Sequence, residues 1–128
     1  MEIILIQDRV DFTMKTFKGS HTVEERTNES SKIIAKYPQR IPIIVEKAEG
    51  CQLKDIQKNK YLAPREMPMC QFVFTVRKKI DLQPSEAIFL MVNGQLVQSS
   101  ILLAEVYDKH KDEDGFLYMI YTSENTFG

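Results

Sequence analysis

A chain of 128 residues, 43% hydrophobic and 27% charged, has room for one domain with its own core, and this composition excludes disorder, collagen-like repeats and a membrane-spanning bundle. The longest apolar run, residues 87–92, falls far short of the roughly 18 residues that cross a bilayer, and Glu2 ahead of the brief run 3–6 has the wrong sign for a secretory leader, so the cytosol is expected. Net charge is −1 but uneven: residues 32–79 carry 11 Lys or Arg against 4 Asp or Glu, and residues 80–128 carry 2 against 8.

That asymmetry has two readings, a mixed solvated surface or a basic face that attracts acidic peptides. Nucleic acid is not expected as a partner, because a pI of about 6.1 is too low for a binding domain of that kind and no recognition motif is present.

Along the chain, residues 1–12 show neither a helical period nor a turn signal, and read equally as a β-prone arm or a loosely held extension. Thr22 with Glu25 three positions on is a capping box, so a helix starts at Val23. It runs to Lys36 and stops near Tyr37, because Pro38 has no amide hydrogen and disfavours helical geometry before it. Residues 41–47 are rich in β-branched side chains and form a strand, with Pro42 confined to its beginning. Residues 60–63, ended by Pro64, form a second short strand antiparallel to the first, suited to a sheet edge.

Residues 71–79 place Phe72, Val73 and Val76 at helical spacing, with Arg77, Lys78 and Lys79 in the last turn where cations suit the helix dipole. The run 87–92 reads as a buried central strand, and Asn93-Gly94 turns it into a hairpin with 95–97. Ser99 or Ser100 caps a helix over 101–109, and 116–121 supplies the last strand. From Ile41 onward the order is that of an α+β domain with helices on one face of a mixed sheet, and the pattern permits either a ferredoxin-like or a β-grasp arrangement.

Chemistry is sparse. Cys51 and Cys70 have no C-x-x-C partner and read as ordinary reduced thiols. His21 and His110 form no nucleophile–base signature, so no catalytic residue, metal or cofactor is expected and the protein is not read as an enzyme. The acidic run 110–115 fails as a calcium loop, since the register that puts Gly115 sixth puts His110 first and Tyr121 twelfth; a surface acidic turn is expected instead.

The choice of fold rests on a set of short matches. They are Lys36-Tyr37-Pro38, Arg40-Ile41-Pro42, Ile44-Val45-Glu46-Lys47, Lys60-Tyr61-Leu62 with Pro64, and Gln71-Phe72 with Arg77-Lys78. Phe89, Val92-Asn93, Glu113-Asp114, Phe116-Leu117-Tyr118 and the terminal Gly128 complete the set. In this order and spacing, from about Phe17 to Gly128, the chain resembles the autophagy ubiquitin-like modifiers of the microtubule-associated protein light chain 3 and GABA-receptor-associated protein type. The resemblance implies a β-grasp, ubiquitin-like core with an N-terminal helical extension. It divides the chain into an arm, residues 1–16, and a single ubiquitin-like domain with a glycine tail, residues 17–128.

The resemblance also implies a function. The carboxylate of Gly128 would be activated by ubiquitin-like activating and conjugating enzymes and transferred to phosphatidylethanolamine, and a deconjugating cysteine protease would act at the same bond. Glycine suits this step because a tail without a Cβ enters a narrow catalytic channel. The protein would then be cytoplasmic, and on the autophagosome membrane when lipidated. Cargo receptors and autophagy factors carrying an aromatic-x-x-aliphatic motif would add as a strand to the second strand of the modifier. Carried over by position, the aromatic pocket is lined by Glu29, Ile33, Pro42, Lys60, Leu62 and Phe116, and the aliphatic pocket by Tyr61, Ala63, Pro64, Met67, Phe72 and Val76. Arg40, Lys58 and Lys79, with Lys60, would meet the acids that precede the motif.

Periodicity alone assigns Ile33, Leu62, Phe72 and Val76 to plain core. Ala63 and Thr75 stand where the family has larger aliphatic residues, which implies a wider or more polar second pocket. Two buried anchors give about 1.5–3 kcal/mol each, against about 8 kcal/mol for micromolar affinity. Strand pairing and rim charges supply the rest, so binding is expected to be modest and salt-sensitive, and strengthened by many copies on one membrane. Two other readings share this fold: a modifier conjugated to proteins, and an unconjugated peptide-binding adaptor.

Overall fold

The computed structural model describes residues 3–5 and 16–123. Its elements are β1 (Ile4–Leu5), α1 (Phe17–Ser20), α2 (Val23–Lys36), β2 (Arg40–Lys47), β3 (Lys60–Pro64), α3 (Met69–Lys79), β4 (Phe89–Val92), β5 (Gln95–Leu96), α4 (Leu103–His110) and β6 (Leu117–Thr122).

Local chemistry sets α2. The Glu25 amide donates to Thr22 Oγ1 at 3.1 Å and the Thr22 amide donates to the Glu25 carboxylate at 2.8 Å, completing the capping box. At the other end the Tyr37 amide still reaches the Ile33 carbonyl at 2.8 Å, and Pro38 allows no continuation. The β4–β5 hairpin turns on Asn93 and Gly94, whose φ values of 51° and 75° are the two left-handed positions a type I′ turn requires.

The six strands form one sheet in the order β1-β3-β2-β6-β4-β5. β2 pairs antiparallel with β3, matching Ile44 to Lys60 and Pro42 to Leu62, and parallel with β6, matching Ile44 to Tyr118. This central parallel pair, reached by a crossover through α3, selects the β-grasp arrangement. Alternation along β2 sends Ile41, Ile43 and Val45 into the larger core beneath α3 and α4, while Ile44 joins Phe17 and Phe116 on the opposite face, next to half-buried Ile33 of α2. Helices α3 and α4 therefore cover one face and the N-terminal helices part of the other.

Four expectations are corrected. β3 is not an edge strand: β1 lies on its outer side, with Ile4 opposite Leu62 and Leu5 opposite Tyr61. Part of the N-terminal arm is thus strand. The run 87–92 is not central, because only 89–92 pair, alternating half-buried and buried, while β2 and β6 hold the middle. Neither Ser99 nor Ser100 caps α4, whose first turn begins at Leu103 without a side-chain cap. The Met69 and Cys70 amides instead take the Ile101 and Ser99 carbonyls, and the Leu103 and Ala104 amides donate to the Met67 and Arg65 carbonyls, so backbone pairing between 65–70 and 99–104 displaces the cap. Finally, the acidic turn is not all surface: Asp114 is buried and receives hydrogen bonds from the Phe116 amide, Arg26 Nη1 and the Tyr118 hydroxyl.

Candidate functional site

β3 is the spine of the site. Its side chains alternate, so Lys60 and Leu62 face α1 and α2 while Tyr61 and Ala63 enter the core beneath α3. The expected aromatic-pocket residues gather on the first side. Glu29 and Ile33 come from α2, Pro42 lies opposite Leu62 in the ladder, and Phe116 immediately precedes β6.

Lys60 is 3% exposed, and burial of a cation demands a partner. Its ammonium forms an ion pair with Glu29 Oε2 and sits 5.0 Å from the centre of the Phe17 ring. Phe17 packs edge-on against Phe116 with centroids 5.3 Å apart, and its amide donates to the Glu46 carboxylate at 2.7 Å, which fixes α1 against the sheet. Phe17 and Ile44 belong to this wall and escaped the sequence reading. The available signal was Phe17 itself, a large aromatic between Lys15-Thr16 and the segment 18–22, which has no apolar side chain.

The expected aliphatic-pocket residues lie on the other side of β3. Tyr61, Ala63, Met67, Phe72 and Val76 are all closed off from solvent, and Pro64 is half-buried at the strand's end. Tyr61 and Phe72 meet edge to face at 5.7 Å. The Tyr61 hydroxyl is buried without a hydrogen-bond partner among the described residues, and burial pushes its pKa well above the ordinary tyrosine value. Thr75 is half-buried, its hydroxyl donating back to the Gln71 carbonyl at 3.1 Å.

Of the expected flanking cations, Arg40 opens β2 and donates from Nη1 to the Leu62 carbonyl at 3.3 Å. Lys58 is half-buried ahead of β3, and Lys79 is exposed at the C-terminal end of α3. Much of the remaining charge is matched internally. Lys18 pairs with Asp112 at 2.6 Å, Arg26 with Asp114 at 2.8 Å and Arg65 with Asp108 at 3.7 Å, so the acidic part of the chain folds back onto basic residues ahead of it. An open cavity of about 420 Å³ lined by Lys18, Arg26, Asn93, His110, Asp112 and Glu113 has this mixed character and shares no residue with β3. Gly128 lies outside the described residues.

Comparison with known proteins gives a consistent result. A family model described as "Autophagy protein Atg8 ubiquitin like" matches residues 25–128. Autophagy-related protein 8d of Arabidopsis thaliana is 48% identical over 115 residues, covering 90% of this chain and 96% of that protein. The crystal structure of Trypanosoma brucei ATG8 superposes with a TM-score of 0.82 at 39% identity, covering 89% of this chain and 98% of that one. A Plasmodium falciparum Atg8, solved in complex with a Plasmodium falciparum Atg3 peptide, superposes with a TM-score of 0.81 at 36% identity, covering 87% and 98%.

Proposed function

The chain belongs to the Atg8 family of autophagy ubiquitin-like proteins, and from that premise we propose that it is a modifier conjugated through Gly128 to phosphatidylethanolamine, which then collects aromatic-x-x-aliphatic peptides along β3. The observation that carries the peptide half of this reading is the split of the candidate residues between the two faces of β3. An extended peptide directs side chains three positions apart to opposite faces. Its aromatic residue would meet the side of Lys60 and Leu62, and its aliphatic residue the side of Tyr61 and Ala63.

Lys60, Leu62 and Phe116 on one side and Tyr61, Ala63, Met67, Phe72 and Val76 on the other are buried, so binding requires side chains to move. On the aromatic side the Lys60–Glu29 ion pair is the element that must shift, and an acidic residue on the peptide compensates the cation as it does so. Arg40, Lys58 and Lys79 are the further cations assigned to the acidic flank. The Plasmodium Atg8 bound to an Atg3 peptide supports a conjugating enzyme among the partners.

No helix among the described residues is long and apolar enough to cross a membrane, so attachment in this reading comes from the lipid. Two acyl chains hold firmly where one is marginal, because each buried methylene contributes about 0.8 kcal/mol. The test is to incubate the protein and its Gly128→Ala variant with activating and conjugating enzymes, ATP and phosphatidylethanolamine liposomes, followed by intact-mass analysis. A lipid adduct on the wild type alone supports the reading. A branched peptide points to protein conjugation, and no adduct beside a working control reduces the function to an unconjugated adaptor.

A further inference from the structure

We propose that the arm strand Ile4–Leu5 is a built-in competitor for the β3 edge, lowering the apparent affinity for peptides until it is displaced. The inference rests on the peptide-binding reading above. The inner side of β3 is fully engaged with β2 from Pro64 to Lys60, so an added strand beside both candidate pockets has only the outer side to pair with. β1 already pairs there, antiparallel, at Tyr61 and Leu62. A strand edge offers one set of outward N–H and C=O groups, and two strands cannot use it together. Ile3, just before the pair, packs against the larger core, which anchors the arm on this side.

The arm is built to yield. Among the described residues it pairs with β3 at two positions, whereas β2 pairs with β3 at five. The family model begins at residue 25, so the occupying strand lies ahead of the part of the chain matched to that family. Being tethered, the arm returns to the edge at high effective concentration each time a peptide leaves. An arm paired about nine-tenths of the time leaves about one molecule in ten open and raises the apparent Kd about tenfold. Peptides with long strand contacts and strong acidic flanks overcome this closure, and weak ones do not, so the arm sharpens selection among ligands.

The experiment compares the full chain with the double variant Ile4→Pro/Leu5→Pro, in which the arm loses the one amide of this pair that faces β3 and its ladder geometry, and no residue of either candidate pocket changes. The probe is a fluorescein-labelled peptide with acidic residues ahead of Trp-x-x-Leu, followed by fluorescence polarisation, with backbone amide exchange at Leu62, whose amide faces the arm, measured without peptide. The expected result is a Kd about three- to tenfold lower in the variant, together with faster exchange at that edge. Ile3→Ser, which loosens the anchor and keeps the arm's backbone donors, shifts Kd in the same direction by a smaller factor. Binding by the variant alone also supports the proposal, as complete occlusion. Equal affinities overturn the competitor and leave the peptide-binding reading intact; binding by neither protein overturns both.

Discussion

The ammonium of Lys60 on β3 and the carboxylate of Glu29 on α2 form an ion pair beside the Phe17 ring, with the lysine side chain 4% and the glutamate 30% exposed. This unequal burial predicts unequal mutational costs. Glu29→Gln leaves the buried ammonium without its carboxylate and is expected to cost about 1–3 kcal/mol, below the 3–5 of a fully buried pair because water screens the glutamate. Lys60→Met leaves a carboxylate that water can reach and costs less. Urea denaturation of the two single variants and the double variant checks this, and equal costs for the two singles would contradict the asymmetry.

A second relationship joins Ser30 to Gly115. Gly115 has φ of 92°, and a Cβ added there would lie 2.5 Å from Ser30 Oγ, which itself donates to the Asp114 carbonyl. Gly50, at φ of 79°, has nothing within 4 Å of such a Cβ. Gly50→Ala therefore carries only the backbone penalty, about 1 kcal/mol, whereas Gly115→Ala adds a steric clash and is expected to cost about 2–4 kcal/mol in total. Thermal melts of the two variants read the difference, and similar melting temperatures would show that the α2 contact tolerates a methyl group.

The dependence of stability on pH follows from groups on both sides of neutrality. Hydrogen bonds from the backbone and side chain of Thr22 hold the Glu25 carboxyl below its ordinary value of 4.5. Burial pushes the Asp112 carboxyl up from 3.8, but bonds from Lys18 and the Asp114 amide outweigh it and leave it lowered. With folded pKa values below the unfolded ones, these carboxylates stabilise the protein above their ordinary values, and that contribution is lost as pH falls through the folded values. Tyr61, Tyr118 and Tyr121 are shifted the other way, chiefly by burial, with folded values above the ordinary 10.0. Their contribution is present below pH 10 and is lost as pH rises through the folded values. Chemical denaturation across pH is expected to show a plateau between about pH 5 and pH 9 with a fall on either side. A midpoint that keeps rising below pH 4 would contradict the carboxylate assignments.

What the sequence by itself determined was local. Helix α2 is legible to the residue, because its start rests on Thr22 and Glu25 three positions apart and its end on Pro38. The Asn93-Gly94 turn and the antiparallel pairing of β2 with β3 are legible for the same reason: the groups that decide them are close in the chain or repeat with period two. The candidate site was half legible. Alternation along β3 assigns Lys60 and Leu62 to one face and Tyr61 and Ala63 to the other, but resemblance, not periodicity, singled these residues out as a site.

Tertiary structure decided the rest. Asp114 looks like any surface acid until Arg26, 88 positions away, and Tyr118 converge on it. Ser99 and Ser100 have the side chains of helix caps, yet the backbone of 99–104 is already engaged by 65–70. Ile4–Leu5 carries no local signal for its partner, since a two-residue strand is set by where an unpaired edge lies, and that edge exists only once β3 has docked on β2. Interactions within a turn of helix or a hairpin are encoded by spacing. Those that depend on which surface is left uncovered appear only when the whole chain has folded, and the outer edge of β3, where the arm lies, is one of them.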